Sequence, residues 1–398
     1  MNKYAIKLAQ TCLGCKKPSC QTGCPVNTPI AEMIRLFLAG DIKKAGQMLF
    51  DNNPLSVICS LVCPHEKHCE GHCVLNKKQT AVSVGSIENY ISDLYINDVQ
   101  NTKPQTNGHK IAIIGSGPAG IALAFIMATK GYEITMYDSN DKIGGVLRYG
   151  IPDFRLNKET LDILITKLQQ LGVIIRPNIT IGKNITVSDF FRDGFKAVFI
   201  GTGVWSPKKL DIKGESLGHV HFAIDYLKSP SVYRLGKKVV VLGAGNVAMD
   251  VARTAVRNGA REVYIMYRKG MDDIPASNHE VECAKIDGVK FELYKEPKEI
   301  NEEGVIYAST NNEESGMLEA DSVLVAISQN PKDNISKSTK EIEVDGRGLV
   351  IADENGNTTM KGVFASGDVV TGARTVVEAV AFSKRVAGAI EAYIDAQE

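Results

Sequence analysis

Residues 110–120 read KIAIIGSGPAG, a short apolar run that leads directly into a glycine-rich turn. The run predicts a buried parallel strand, and the segment from the turn to Lys130 has the composition of a helix. In this context Gly115 permits a tight turn, Gly117 lets the backbone approach a pyrophosphate, and Gly120 allows the helix to pack closely on the strand. The stretch therefore predicts the first βαβ unit of a dinucleotide-binding fold.

The segment that follows extends this candidate site. A second apolar run, EITMYD, ends at Asp138, whose carboxylate can accept hydrogen bonds from the hydroxyls of an adenosine ribose. The glycine pair Gly144-Gly145 comes shortly after it. The other candidate binding residues of the turn are Ser116, Pro118 and Ala119. This pattern alone leaves open whether the ligand is NAD or FAD.

The same pattern recurs from Lys237, where KKVVVL, GAGNVA, a helix to Asn258 and EVYIMYR follow one another. Ala248 takes the place of the third glycine, which is common in NADP-type units. The candidate binding residues of this turn are Gly243, Gly245, Asn246 and Val247. Two βαβ units in one chain predict an internal repeat at the level of domains, with parallel sheets that carry helices on both faces.

Two cations follow the second strand of the second unit. Arg268 and Lys269 stand where an NAD site carries an acidic residue. They would attract a 2′-phosphate and offer nothing to a free 2′-hydroxyl, so the pattern favours NADPH. NADH remains the alternative, because Asp272 and Asp273 weaken the positive field.

A late segment assigns the first unit to FAD. Residues 364–370 read FASGDVV, in which Gly367 provides a turn and Asp368 can bond a flavin ribityl or pyrophosphate group. In flavoproteins with two dinucleotide folds, such a segment completes the FAD domain after the NAD(P) domain has been inserted. The first fold is therefore expected to bind FAD and the second NAD(P)H.

The cysteines are crowded at the start of the chain. Of the nine cysteines, all but Cys283 precede residue 74. Short spacings set several thiolates on one turn of chain, where they can share an inorganic cluster at little loop-closure cost. Zinc is the alternative ligand, although zinc sites usually close as two matched cysteine pairs. The two runs are Cys12, Cys15, Cys20 and Cys24-Pro25, then Cys59, Cys63-Pro64, Cys69 and Cys73.

Length and composition set the remaining limits. A chain of 398 residues is too long for one core, and 44% hydrophobic residues are ordinary for a globular protein. A net charge of +0 argues against nucleic acid as a partner. The sequence has no apolar run of bilayer length and no secretory signal, so we expect a cytoplasmic protein without a membrane partner.

Three domains are expected from the order of these patterns. Residues 1–105 would form a helical iron–sulfur domain that ends in a polar linker. Residues 106–232 and 333–398 would form a discontinuous FAD-binding domain. Residues 233–332 would form the inserted NAD(P)H-binding domain.

The whole chain resembles the small subunit of bacterial glutamate synthase and the flavin subunit and N-terminal half of dihydropyrimidine dehydrogenases. The resemblance spans residues 12 to about 392 and is carried by specific motifs: CLGCKKPSCQTGCP, NNPLSVICSLVCPHEKHCEGHC, VGSIENY, GSGPAG, GGVLRYGIPDFRL, GAGNVAMD, YRKG, IPAS and GDVVTGARTVVEA. It implies an α/β flavoprotein with two dinucleotide-binding domains, similar to glutathione reductase, preceded by an α-helical ferredoxin-like iron–sulfur domain.

The resemblance also implies which residues hold the cofactors. One cluster would be held by Cys12, Cys15, Cys20 and Cys73. The other would use Cys24, Cys63, Cys69 and a non-cysteine ligand at the position of Glu88, and Cys59 would hold none. On the flavin side the resemblance adds Leu147, Arg155 and Thr375. Ser328, Ser366 and Asp138 depart from the residues that are usual in the family.

By this resemblance the protein is an electron-input oxidoreductase subunit. It would move electrons from NAD(P)H through FAD and two [4Fe–4S] clusters to a larger, FMN-containing catalytic subunit of the dihydropyrimidine dehydrogenase or glutamate synthase type. A self-sufficient oxidoreductase that uses soluble ferredoxin is one alternative, and a zinc-binding, non-enzymatic scaffold is another. We identify no catalytic triad or carboxylate pair in the sequence.

Overall fold

The computed structural model describes residues 2–77, 80–99 and 102–397. These residues form two compact units. The first unit comprises Met1–Leu147, Asp153–Val204 and Pro331–Glu398, and the second comprises Arg148–Pro152 and Trp205–Asn330.

The N-terminal part of the first unit is helical in its described residues. Helix α3 (Ile30–Leu38) buries Ile30, Met33, Ile34 and Phe37, which is the spacing of one helix face. The helices are α1 (Lys3–Ala9), α2 (Ser19–Thr22), α3 (Ile30–Leu38), α4 (Ile42–Asn52), α5 (Ser56–Val62) and α6 (Val84–Asp98).

The first βαβ unit follows as the glycine turn predicts. Its elements are β1 (Lys110–Ile114), α7 (Pro118–Thr129), β2 (Glu133–Tyr137), α8 (Val146–Tyr149), α9 (Lys158–Gln170), β3 (Ile174–Arg176), α10 (Val187–Arg192) and β4 (Phe195–Ile200). The side chain of Asn157 caps α9 by accepting a hydrogen bond from the backbone N–H of Glu159.

The second unit contains the second βαβ unit, and the chain then returns to the first. Elements of the second unit are β5 (Ser206–Pro207), β6 (Val220–Phe222), α11 (Ala223–Lys228), β7 (Lys238–Leu242), α12 (Asn246–Arg257), β8 (Glu262–Tyr267), α13 (Asn278–Ile286), β9 (Lys290–Leu293), β10 (Lys295–Asn301), β11 (Gly304–Ser309), β12 (Ser315–Glu319), β13 (Ser322–Val325) and β14 (Gln329–Asn330). The C-terminal elements are α14 (Asn334–Ser338), β15 (Val363–Ala365), α15 (Asp368–Thr371) and α16 (Val376–Asp395).

Each unit is built on a parallel sheet. The first sheet has the strand order β15-β4-β1-β2-β3, so the late strand pairs with β4 and makes this fold discontinuous in sequence. The second sheet has the order β6-β13-β7-β8-β9, and an antiparallel sheet, β10-β11-β12, belongs to the same unit. The α/β fold with two dinucleotide-type sheets and a helical N-terminal domain is confirmed.

The limits of the second unit differ from the proposed domain boundary at residue 232. Strand β6 precedes that boundary, yet it pairs with β13 in the second sheet, with Val220 opposite Val323. Its backbone hydrogen bonds draw the chain into the second unit from Trp205 onward. No helix within the described residues is both long and apolar enough to cross a bilayer.

The helical domain packs on the FAD-type fold within the first unit. The rings of Phe50 and Phe125 meet edge to face, with centroids 5.3 Å apart. The ammonium group of Lys167 on α9 donates a hydrogen bond to the carbonyl oxygen of Val99. Helix α5, which ends beside Cys63, also contacts α16. These contacts set the cysteine-bearing loops against the fold that carries the first glycine turn.

Candidate cofactor sites

The first glycine turn combines two structural glycines with one that leaves open space. Gly115 has φ +97°, and a Cβ built on it would lie 2.5 Å from the carbonyl oxygen of Gly201. A Cβ at Gly120 would lie 2.1 Å from the carbonyl oxygen of Gly115. At Gly117, by contrast, the nearest atom to such a Cβ is the Cα of Gly145, 4.0 Å away. The fold itself requires the outer glycines, whereas the open space at Gly117 fits a ligand.

The helix that starts at this turn offers free N–H groups. Gly117 is the N-cap of α7, Pro118 occupies the first turn, and no side chain caps the helix. Gly144 donates its N–H to the carbonyl oxygen of Ser116 at 3.0 Å, which holds the second glycine pair against the turn. Uncapped N–H groups at a helix N-terminus form a site for a phosphate anion. The turn therefore fits the pyrophosphate of FAD.

Asp138 ends β2 as expected, but its carboxylate is already engaged in this structure. Its Oδ2 accepts hydrogen bonds from the backbone N–H (2.9 Å) and the hydroxyl of Ser116. Its Oδ1 accepts from the backbone N–H (2.8 Å) and side-chain amide (2.9 Å) of Asn140. Asp138 thus fastens the glycine turn to β2. Its expected contact with the adenosine ribose requires one of these donors, such as the Ser116 hydroxyl, to turn away.

The late Gly-Asp segment lies beside the same turn. Gly367 has φ +76°, and a Cβ built on it would lie 3.0 Å from the Cβ of Ala119. Asp368 accepts a hydrogen bond from the N–H of Arg374, and burial raises the pKa of its carboxyl group to about 6. The structure therefore brings residues 367–368 to the first turn of α7, although about 250 residues of chain separate them.

Two neighbouring residues of this segment have clear structural partners. Ser366, where the family usually has a smaller residue, is fully buried and its hydroxyl lies 2.8 Å from that of Ser383, which donates to the carbonyl oxygen of Ala119. Thr375 caps α16, with its hydroxyl 2.6 Å from the carboxylate of Glu378. The hydrogen bonds of Ser366 explain why a serine is tolerated there.

The remaining flavin candidates lie after the glycine pair. Leu147 is fully buried in α8. Arg155 is partly buried in the loop that precedes α9. Both lie in the first unit with the glycine turn, and their contact with the flavin stays a prediction.

The second glycine turn repeats the design of the first. Gly243 has φ +122°, and a Cβ there would lie 2.4 Å from the carbonyl oxygen of Ala326, whereas nothing lies within 4 Å of a Cβ at Gly245. Gly245 is the N-cap of α12, again without a side-chain cap. The side-chain oxygen of Asn246 accepts the N–H of Ser277 at 2.9 Å. Val247 packs against the core of this unit. The turn fits a second pyrophosphate.

The two cations after β8 are exposed. Arg268 forms no ion pair with any residue that the structure describes, and Lys269 lies 3.9 Å from the carboxylate of Asp273, a long contact. A free guanidinium at this edge of the sheet fits a 2′-phosphate. In the same unit Ser328 has φ +125°, a backbone conformation that favours glycine, so the serine implies local backbone strain here.

The first cysteine group lines a single pocket. Cys12, Cys15, Cys20 and Cys73 all contribute to its wall, and it encloses about 420 Å³ including the part open to solvent. Burial, followed by the charge of Cys73, raises the pKa of the Cys20 thiol to about 11. The structure thus brings Cys73 to three cysteines at the opposite end of the module. Four thiols around one pocket fit a four-iron cluster.

The second group is more deeply buried. Burial raises the pKa of the thiols of Cys63 and Cys69. The charge of Cys59 raises the pKa of Cys63 further, and the charge of Glu88 raises that of Cys69. Glu88 is 6% exposed, and burial raises its pKa to about 8. No described residue donates a hydrogen bond to its carboxylate. A buried acid without a donor fits a position in which its carboxylate would bind an iron ion of the cluster.

Cys59 lies beside this second group, since its charge acts on Cys63 and the charges of Glu88 and Cys24 act on Cys59. It is buried within α5, where burial raises the pKa of its thiol and a hydrogen bond with the side chain of Asn53 opposes the shift. Asn53 also accepts the N–H of Leu55 at 2.9 Å, which fixes its orientation.

Among the described residues, no three metal-binding side chains converge closely enough to hold a single ion.

Three polar residues near the second group were not among the predicted site residues. The hydroxyl of Thr28 lies 3.3 Å from the sulfur of Cys24. Nδ1 of His65 lies 3.4 Å from the sulfur of Cys69. Nε2 of His68 is buried without a hydrogen-bond partner in the described chain. Thr28 and His65 each lie four residues from the cysteine they contact. This spacing is the sequence feature that could have indicated the two contacts.

Comparison with known proteins assigns each of the two parts of the chain to a known family or domain. Residues 109–382 match the family described as pyridine nucleotide-disulphide oxidoreductase. Residues 1–100 match the domain described as dihydropyrimidine dehydrogenase domain II, 4Fe-4S cluster. The second match confirms iron–sulfur ligation over zinc as the role of the cysteine module.

Similar proteins include the small chain of NADPH glutamate synthase from Azospirillum brasilense, 33% identical over 100% of this chain and 90% of that protein. The PreT subunit of NAD-dependent dihydropyrimidine dehydrogenase from Escherichia coli K12 is 30% identical over 98% of this chain and 94% of its own. Thioredoxin reductase of T. acidophilum shares the fold over 72% of this chain and 98% of its own, with a TM-score of 0.59 and 22% identity.

These matches confirm FAD, a pyridine nucleotide and 4Fe–4S iron–sulfur as the cofactors expected from the sequence. The chain belongs to the pyridine nucleotide-disulphide oxidoreductase family, and it is an oxidoreductase that carries a 4Fe–4S domain of the dihydropyrimidine dehydrogenase type at its N-terminal end.

Proposed function

We propose that the chain is the electron-input subunit of a larger cytoplasmic enzyme. It takes electrons from NADPH and delivers them, through FAD and two [4Fe–4S] clusters, to a larger catalytic subunit that contains FMN. The observation that carries the proposal is the placement of two separate cysteine groups in one unit with the first glycine turn. Relatives named as a small chain and as a subunit support the same role.

The chain's own residues bind and orient the cofactors. When bound, FAD exchanges a hydride with a nicotinamide and single electrons with iron–sulfur clusters. The open backbone at Gly117 and Gly245 would receive the two pyrophosphates, and Arg268 would select the 2′-phosphate. The thiols of the two cysteine groups would hold iron, which requires a reducing compartment such as the cytoplasm.

The geometry suggests an order for the two cysteine groups. The second group lies beside α16 of the FAD-type fold, because α5, which ends beside Cys63, contacts that helix and Lys384 of α16 donates a hydrogen bond to Asn52. The first group lines a pocket open to solvent, and Leu13 between two of its cysteines is 65% exposed. We therefore place electron uptake at the second group and electron delivery at the first.

The surface around the first group fits an acidic partner. Lys16 and Lys17 directly follow Cys15 and are exposed, and no acidic residue precedes Glu32 in the sequence. Exposed Leu13 adds an apolar contact at the centre. An apolar centre with a rim of one charge is typical of a protein-binding surface.

We expect the tagged chain to co-purify with a larger FMN protein from its own host, and a Lys16→Glu/Lys17→Glu variant to release it. The reversed rim charges would lower the association rate roughly tenfold, more at low salt than at high salt. The measurement is FMN recovered with the tagged chain, together with the NADPH-dependent reduction of that partner. NADPH-driven reduction of a small dye should remain unchanged.

The matched control is Lys208→Glu/Lys209→Glu, an exposed lysine pair in the second unit. It makes the same change in net charge and should retain the partner. A chain that purifies alone and reduces soluble ferredoxin at full rate would instead support the self-sufficient oxidoreductase.

Nucleotide choice gives a second prediction. Arg268→Ala should raise the KM for NADPH about 10- to 100-fold. The reason is the loss of a charged hydrogen bond to the 2′-phosphate, which contributes about 1.5–3 kcal/mol of binding free energy. The KM for NADH should change little. Arg261, exposed at the other end of β8, provides the control variant Arg261→Ala. Equal changes for both nucleotides would show that Arg268 does not read the 2′-phosphate.

A further inference from the structure

A chain of hydrogen bonds connects α16 of the FAD-type fold to the sulfur of Cys24. The ammonium group of Lys384 donates to the side-chain oxygen and to the carbonyl oxygen of Asn52, each at 2.8 Å. The side-chain nitrogen of Asn52 donates to the hydroxyl oxygen of Thr28 at 3.4 Å. That hydroxyl lies 3.3 Å from the sulfur of Cys24. We call the set Lys384, Asn52 and Thr28 the relay.

The donors of the relay all point the same way. An ammonium group can only donate, so the oxygen of Asn52 faces Lys384 and its NH₂ group faces Thr28. The oxygen of Thr28 accepts that hydrogen bond, which leaves its own hydrogen for the sulfur of Cys24. A ligating thiolate can only accept. Each link thus directs a positive dipole end toward Cys24.

The surroundings strengthen the effect at Cys24. Thr28 is 3% exposed, and Lys384 is half-buried, so water screens the relay little. No carboxylate among the described residues pairs with Lys384. Its contact with the carbonyl oxygen of Asn52 lies at the C-terminus of α4, where a cation is favourable.

We propose that the relay raises the reduction potential of the cluster held by Cys24 and couples it to α16. This inference rests on the proposed function, in which Cys24 is a cluster ligand. The reaction concerned adds one electron, supplied from the flavin, and neither forms nor breaks a covalent bond. Hydrogen bonds to ligand sulfur and nearby positive charge stabilise the more negative reduced form. The relay therefore makes the cluster held by Cys24 a better electron acceptor than it would be without these hydrogen bonds.

The test is a redox titration of the purified holoprotein, followed by the electron paramagnetic resonance signals of the two clusters. Lys384→Met removes the charge at similar length, and Thr28→Val removes only the hydroxyl. Each should make reduction of one cluster about tenfold less favourable, which equals a shift of about −59 mV for one electron. The other cluster should keep its potential. Thr28→Ser retains the hydroxyl and should stay near the wild-type value.

A control at another lysine that contacts α16 separates electrostatics from packing. Lys130→Met breaks the ion pair between Lys130 and Glu391 of α16 and should leave both potentials unchanged. Unchanged potentials in Lys384→Met and Thr28→Val, a shift of both clusters, or a shift in Thr28→Val alone would overturn the relay. If Thr28→Val lost its cluster, Lys384→Met would decide the question by itself.

The experiment distinguishes failure of the relay from failure of the proposed function. Iron and FAD contents are measured on every variant. A wild-type protein without two cluster signals would contradict the cluster assignment, whereas two normal signals with unshifted potentials would contradict only the relay.

Discussion

Cys15→Ala should lower the iron content of the purified protein by about half while about one FAD remains bound per chain. Cys15 lies in the pocket that Cys12, Cys20 and Cys73 also line, and a four-iron cluster that loses one of four thiolates is not held stably. The second cysteine group and the glycine turn lie outside that pocket, so they should be unaffected. Iron analysis and the flavin absorption spectrum measure the two quantities directly.

Cys59→Ala is the matched control for this experiment. Cys59 is buried close to the second group but forms a hydrogen bond with Asn53, so its loss should leave the iron content unchanged. If Cys59→Ala removed as much iron as Cys15→Ala, Cys59 would be a ligand and the proposed place of Glu88 would be wrong. Loss of flavin with unchanged iron in Cys15→Ala would contradict the separation of the sites.

Gly117→Ala should abolish most FAD binding without lowering the stability of the fold. A methyl group at Gly117 meets no protein atom closer than 4.0 Å, and its φ of −74° suits any residue. The methyl group would, however, fill the space where we place the pyrophosphate and block its hydrogen bonds with the backbone. The expected loss is about 1.5–3 kcal/mol of binding free energy, or 10- to 100-fold in Kd.

The comparison variant is Gly120→Ala, whose Cβ would lie 2.1 Å from the carbonyl oxygen of Gly115. That overlap should lower the free energy of unfolding by roughly 1–3 kcal/mol, and with it the unfolding temperature, even without FAD. Thermal unfolding of the FAD-free protein and titration with FAD separate the two effects. Unaltered FAD affinity in Gly117→Ala would place the pyrophosphate elsewhere.

Local patterns were enough to predict the elements that hold nucleotides. A strand, a glycine turn and a helix are close in sequence, so KIAIIGSGPAG predicts both the βα turn and the role of its glycines. The domain limit proposed at residue 232 differs from the start of the second unit at Trp205. The pairing of β6 with β13 sets that start, and it joins segments far apart in sequence.

The environment of each cysteine was decided by tertiary structure. Spacing alone places Cys73 in a run with Cys63 and Cys69, but the fold sets it in one pocket with Cys12. The grouping that the resemblance implied is consistent with this geometry, yet no local pattern contains it. Cys12, Cys20 and Cys73 all pack against one apolar core that contains residues of α1, α3 and α6.

The sequence alone therefore predicted the two dinucleotide folds and a metal-binding cysteine module, because these follow from motifs whose residues are close in the chain. The match to a 4Fe-4S domain decided between iron–sulfur and zinc. Only the tertiary structure showed that Asp138 already has four donors, that Gly367 lies against Ala119, and that Lys384 is connected to Cys24. Such contacts depend on how distant elements pack, and burial then sets the strength of each charge and hydrogen bond.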